Sequence, residues 1–193
     1  MKTVIVDYDA GNVKSVQFAL ERLGVDAQIT HDTELISSAD KVIFPGQGEA
    51  ASAMEKLKSK GLDLLIPQLK QPVLGICLGM QLLCEVTEEG NTQGLGILPV
   101  KVGRFPDTVK IPQIGWNKVN HKATGLFENI REDCYMYLVH SYFVPLTDAS
   151  IAESFYAGTY SVAVKKNNFY GVQFHPEKSS KEGLRLLENF LNF

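Results

Sequence analysis

The sequence predicts an α/β protein: an open, mostly parallel sheet with helices on both faces and an antiparallel extension. Three observations predict it. Short apolar runs of strand length recur up to Ile76, each leading into a turn and then a stretch with helical spacing. Strands that alternate with helices imply right-handed crossovers and parallel pairing. From about Leu98 to Phe174 the pattern changes to Val, Tyr, Phe, Pro and Gly with little helical spacing, which predicts further, partly antiparallel strands.

The elements follow in order. Thr3 to Asp7 reads as a buried strand. A helix then starts after Gly11-Asn12, with Val13, Val16, Leu20 and Leu23 on one stripe and Gly24 as a left-handed cap. Val25 to Thr30 and Lys41 to Pro45 are the second and third strands, the latter running into "GQGEA" and another helix. The basic residues from Met54 to Lys60 mark that helix's solvated face. Pro72 to Ile76 is the fourth strand, followed by a helix that begins at Cys77 and carries Cys84 two turns on, in the core. Cys134 to Val144 is expected to be a central strand of the antiparallel region. At the end, Ser179 and Glu182 have the spacing of a capping box, ahead of an apolar stripe of Leu184, Leu187, Phe190 and Leu191. With no internal repeat or linker, residues 1–193 read as a single domain.

Bulk properties exclude several classes. A formal net charge of −3 with scattered basic residues gives no reason to expect nucleic acid as a partner. No apolar run is long enough to span a bilayer, and Asp7 interrupts the first one too early for a signal peptide. The three cysteines (Cys77, Cys84, Cys134) are irregularly spaced and contain no CxxC pair, so neither a disulfide framework nor a zinc site is expected. The histidines show no metal-ligand spacing. We expect no metal, no cofactor and a reducing, cytoplasmic setting.

The chemistry-bearing stretch is "VLGICLGMQLLCE", Val73 to Glu85. A strand feeding a sharp turn into a helix is the nucleophile-elbow pattern. Gly75 and Gly79, two residues either side of Cys77, let backbone and substrate approach. The unpaired N–H groups of a helix start favour a thiolate, which is the nucleophilic form. The N–H of Leu78 would point at a developing oxyanion. A thiolate needs a base, and "YGVQFHPEKSS" (Tyr170 to Ser180) offers His175, with Glu177 placed to fix its tautomer if the segment is extended. The glycine-bracketed "FPGQGEA" (Phe44 to Ala50) lacks a GK[ST] sequence, so it is a poor phosphate loop. As a turn presenting N–H groups it could complete an oxyanion hole beside Leu78.

Taken together, "PGQG", "GICLGMQ" and "FHPE", in that order and in a chain of this size, resemble the class I (triad-type) glutamine amidotransferases over nearly the whole length. "DYDAGNVKSV", "GLGILP", "IPQIGWNKV", "VHSYF" and "HPEKSS" are similar to the subgroup of glutaminase subunits of imidazole glycerol phosphate synthases, of histidine biosynthesis. The resemblance implies the family's flavodoxin-like fold and a Cys77–His175–Glu177 triad. Cys77 attacks the side-chain amide of L-glutamine to give a thioester and ammonia, His175 moves the proton, and Glu177 orients His175. It implies an oxyanion hole from the N–H groups of Gln47 and Leu78. Gly46, Gly48, Gln81, Glu89, Ser141 and Tyr142 match substrate-binding positions, Glu89 taking the α-ammonium. Three residues depart from the family's frequent choices: Gln47 for valine, Gln113 for histidine and Asp9 for glycine.

Ammonia protonates in water and loses its nucleophilicity, so a glutaminase gains by passing it through a dry passage to a partner. The resemblance implies a heterodimer with a (β/α)8-barrel cyclase subunit that closes the imidazole ring, faced by Asn12, Trp116, Tyr137 and Lys178. Three alternatives stay open on the sequence. The ammonia could serve another synthase, as in surface polysaccharide amidation; the chain could be a partner-independent cysteine hydrolase of γ-glutamyl compounds; or it could be a catalytically inert regulatory module.

Overall fold

The structure, a computed structural model, describes residues 1–122 and 125–193. The first half runs β1 (Thr3–Val6), α1 (Val13–Glu21), β2 (Gln28–Thr30), α2 (Thr33–Ser37), β3 (Lys41–Gly46), α3 (Ala50–Ser59), α4 (Leu62–Leu65), β4 (Val73–Cys77) and α5 (Leu78–Leu82). The middle is made of strands: β5 (Cys84–Thr87), β6 (Thr92–Gln93), β7 (Leu98–Arg104), β8 (Gln113–His121), β9 (Cys134–His140) and β10 (Tyr142–Phe143). β11 (Ser150–Phe155), β12 (Thr159–Lys166), β13 (Phe169–Val172) and α6 (Ser180–Leu191) complete the chain.

Nine strands form one sheet in the order β2-β1-β3-β4-β13-β12-β11-β8-β9. The wing from β2 to β13 is parallel, and β12, β11, β8 and β9 extend it in antiparallel fashion. β10, β7, β5 and β6 form a separate four-stranded sheet. Residues alternate between two cores, as strand geometry requires. Ile5, Ile43 and Leu74 pack with Val16 and Leu20 of α1 and Leu187 and Phe190 of α6. Their neighbours Val4, Val42 and Val73 pack with Ile36, Met54, Leu57 and Leu62 of α2, α3 and α4. Helices therefore cover both faces, and the inner strands β1, β3 and β4 are buried along their whole length because neither face meets water, whereas β2 at the edge is partly exposed.

Four expectations need correction. The second strand begins at Gln28, not Val25. Val25 N–H closes the end of α1 on the Leu20 carbonyl, and the Ala27 carbonyl accepts from the Gln17 side chain, so neither joins the ladder. Gly24 does take the left-handed conformation, at φ +75°. The helix after Cys77 stops at Leu82, because the Leu82, Leu83 and Cys84 carbonyls accept from the N–H groups of Leu95, Leu98 and Gly96. Cys84 consequently starts a strand, although it is fully buried as expected. The Cys134 strand lies at the sheet's edge rather than its centre, and ends at His140; Tyr142–Phe143 pairs with β7 instead. Finally, Ser179 makes no side-chain cap on α6. Its hydroxyl donates to the His175 carbonyl at 2.7 Å and accepts from Tyr137 N–H at 2.9 Å. It thus ties the His175 turn to β9.

Candidate active site

Cys77 ends β4 at φ 55°, ψ −111°, a conformation that costs a non-glycine residue about 1–3 kcal/mol. The turn is possible because α5 sits directly on the backbone of its neighbours. A Cβ on Gly79 would lie 2.0 Å from the Phe44 carbonyl oxygen, and one on Gly46 would lie 2.6 Å from Gly79 N and 2.7 Å from the Tyr8 hydroxyl. The glycines therefore serve close packing of backbone on backbone. They set Cys77 at the sheet's carboxyl edge, where the residue is 8% exposed.

His175 follows β13, the strand hydrogen-bonded to β4, so both residues leave adjacent strands at the same end. Its N–H donates to the Tyr137 carbonyl at 2.9 Å. Pro176–Lys178 is a 3₁₀ turn rather than an extended segment, yet it brings the Glu177 carboxylate 2.8 Å from His175 Nδ1. That contact places a proton on Nδ1 and leaves Nε2 for the sulfur. Burial opposes charging this imidazole, but the hydrogen bonds it donates toward the Cys77 sulfur and the Glu177 carboxylate outweigh it and raise the pKa to about 10. The imidazolium form is thereby favoured between a sulfur and a carboxylate.

The two residues open onto a cavity of about 240 Å³. Gln47, Gly48, Cys77, Leu78, Gln81, Glu89, Ser141, Tyr142, His175 and Lys178 all line it. Pro112, Val139 and His140 do so as well, and the sequence did not single them out. Of the remaining sequence-predicted residues, Glu177 stands behind His175 and Gly46 lies beneath the turn. Asn12 caps α1 by accepting from Ser15 N–H at 3.3 Å. Trp116 is 52% exposed on β8, edge-on to Tyr137 across the β8–β9 register, outside the cavity. Lys178, expected toward a partner, is on the cavity wall.

Two wall residues are held by other contacts. Glu89 accepts from Ala50 N–H at 2.9 Å and so caps α3. Partial burial raises its pKa, the Ala50 bond opposing. Both amide hydrogens of Gln81 are engaged, with the Tyr142 carbonyl and the Gln173 side chain, each at 2.9 Å. Beneath the turn, Tyr8 is fully buried and its hydroxyl has no partner among the described residues. Burial, then the nearby Cys77 sulfur, pushes its pKa up, so it stays a neutral phenol.

His140 is 6% exposed and stays neutral. Its Nδ1 donates to the Tyr142 carbonyl at 2.8 Å, its Nε2 is 3.2 Å from the Tyr160 hydroxyl, and Gln113 lies 3.0 Å from that same hydroxyl. Gln113 is thus part of a buried network behind the cavity wall, not of the sulfur–imidazole pair. Burial is the main reason the His140 pKa falls to about 4, with the Tyr142 carbonyl opposing and the His175 charge adding to it. The unfolded chain takes up this proton near pH 6.5 and the folded chain only near 4. Between those values the unfolded state binds more protons, so stability is lost as pH falls, by about 3 kcal/mol at the lower end. Urea unfolding at pH 7 and pH 4.5 should show a smaller loss for His140→Gln than for the wild type.

A strand-to-helix elbow bearing a thiol, with an imidazole–carboxylate pair from the neighbouring strand, is an arrangement suited to nucleophilic cysteine chemistry on a doubly covered α/β sheet. The chain belongs to the class I glutamine amidotransferase family, whose pattern matches residues 4–192. It is 52% identical over 195 residues to the imidazole glycerol phosphate synthase subunit HisH of Bacteroides thetaiotaomicron, covering 100% of both chains. It is 49% identical to the protein of the same name from Haemophilus influenzae, covering 97% of this chain and 95% of that one. In fold it is similar to the solved structure of PurLQS from Thermotoga maritima (TM-score 0.75, 18% identity), covering 99% of this chain and 97% of that one.

Proposed function

We propose that this chain is the glutaminase subunit of an imidazole glycerol phosphate synthase, residues 1–193 acting as one domain. The observation that carries the reading is that Cys77 and His175 meet at one cavity roomy enough for a small amino-acid side chain, with Glu177 hydrogen-bonded behind His175. The Cys77 thiolate attacks the side-chain amide carbon of glutamine. The oxyanion that forms is held by Leu78 and Gln47 N–H groups, in a site largely shielded from water. His175, as imidazolium, gives its proton to the leaving nitrogen, and ammonia departs from a thioester. Water, deprotonated by His175, then releases glutamate and restores the sulfur. Glu177 keeps the ring oriented throughout. Gly46, Gly48, Gln81, Glu89, Ser141 and Tyr142 form the substrate's surroundings. The Glu89 carboxylate is the group suited to the α-ammonium.

The ammonia is passed to a (β/α)8-barrel cyclase in a cytoplasmic heterodimer. The docking face is the exposed Trp116 with Tyr137 beside it, together with Asn12 and Lys178; aromatic anchors of this kind dominate interfaces. Among the described residues no helix is long and apolar enough to cross a membrane.

The test is a glutaminase assay of the chain alone and with the cyclase, with and without the cyclase's ligand. Ammonia release should rise at least tenfold in the liganded complex, through a shift in the population of productive Gly46–Gly48 turns. Equal rates would refute the coupling. Absence of ammonia in every condition would refute the glutaminase. Restoration of growth in a histidine auxotroph separates this acceptor from another synthase.

A further inference from the structure

We propose that Gln173 is a further catalytic residue: its side-chain amide donates a hydrogen bond to the Cys77 sulfur and stabilises it as a thiolate. The inference rests on the glutaminase reading and adds a group to its chemistry. Gln173 follows β13 directly, two residues before His175, and is fully buried. Its Nε2 lies 3.7 Å from Cys77 Sγ, within hydrogen-bond reach for sulfur.

The direction of the bond is set by a chain of partners that begins at the main chain. The Tyr142 carbonyl can only accept, so Gln81 must present its NH2 there, at 2.9 Å. The second hydrogen of that same NH2 is directed at Gln173, again at 2.9 Å. Gln173 must therefore turn its oxygen toward Gln81. A reversed amide would set NH2 against NH2 at one end and leave the oxygen against the sulfur at the other. With the oxygen held by Gln81, the Gln173 NH2 faces Cys77.

A buried amide devoted to a sulfur favours the anion. The Val139 carbonyl, 3.8 Å from Sγ, is the acceptor that a protonated thiol would use, and Gln173 favours the opposite form. The arrangement also links the pocket wall to the nucleophile. Gln81 lines the cavity, and whatever displaces it alters the donor on the sulfur.

The titratable groups around Cys77 are His175 with Glu177 behind it, His140, Tyr8 beneath, and Glu89, Tyr142 and Lys178 on the wall. None is changed in Gln173→Met, which keeps the volume and removes the donor. The experiment follows carbamidomethylation of Cys77 by iodoacetamide, read on its peptide by mass spectrometry, at pH 7 and pH 10. Thermal unfolding serves as the control for folding. The variant should react roughly fivefold to tenfold more slowly at pH 7. At pH 10, where hydroxide rather than the donor drives thiolate formation, the rates should converge. An unchanged rate at pH 7, or an equal deficit at both pH values, would overturn the proposal, the second result assigning Gln173 to packing alone. If the methionine variant does not fold, Gln173→Asn, which withdraws the amide by one methylene, is read by the same criteria. The measurement needs neither glutamine nor a partner, so its failure is distinct from failure of the glutaminase reading.

Discussion

Cys77→Ala should lower ammonia release from glutamine by at least about 10⁴-fold in the liganded complex, with the fold intact. Every step of the proposed reaction passes through the sulfur, and no neighbouring group can replace it. Cys84 cannot, because burial pushes its pKa up to about 12 and it lies in the core away from the cavity. The same position makes a second, opposite prediction about stability. At φ 55° and ψ −111° any Cβ is strained, so alanine retains the strain that cysteine bears. Glycine does not. Cys77→Gly should therefore unfold at higher denaturant than Cys77→Ala, by about 1 kcal/mol, although glycine ordinarily costs entropy on folding. Both variants are inactive, so stability is separated from chemistry. An alanine variant as stable as the glycine one would show that the elbow is not strained. Residual hydrolysis within tenfold of the wild type would remove Cys77 from the mechanism.

Much of this was legible in the sequence because the signals were local. The strand-glycine-cysteine-glycine run specifies its own turn, and Pro176 keeps His175 and Glu177 within a short, stiff segment. The parallel wing was legible because strands buried on both faces cannot alternate. What was not legible depends on partners distant in the chain. Nothing near Cys84 reveals that Leu95, Gly96 and Leu98 take the carbonyls that would have continued the helix. Ser179 has the spacing of a cap, but Tyr137, far upstream, takes its hydroxyl. The Cys134 strand is apolar enough for a central position, yet its burial alternates because one of its faces is largely open to solvent, and among the described residues it is the last strand of the sheet. Gln173 was overlooked for a similar reason. A glutamine in an apolar strand exit carries no signal until Gln81 and Tyr142 are seen to orient it.

Gly79→Ala is the substitution for which the local rule and the tertiary structure disagree most. Gly79 lies within a helix, where alanine is ordinarily worth about 1 kcal/mol more than glycine. Here the added carbon would lie 2.0 Å from the Phe44 carbonyl oxygen and 3.1 Å from its carbon. Both atoms belong to the backbone of β3, so no rotamer can move aside. β3 is fixed on both sides by β1 and β4, and α5 must lift away instead. The expected cost is about 3 kcal/mol or more. Gly158→Ala is the control: a Cβ there meets nothing within 4 Å, and its effect should stay within about 0.5 kcal/mol. The loss at Gly79 should extend to chemistry, because α5 carries the Leu78 N–H and flanks Cys77, so its displacement moves the proposed oxyanion donor away from the sulfur. Urea unfolding measures the first effect. The second is read from alkylation of Cys77 and ammonia release at a temperature where the variant remains folded. A Gly79→Ala protein as stable and active as the wild type would mean that α5 does not rest on the β3 backbone, and the account of how this chain raises a strained cysteine at the sheet's edge would fail with it.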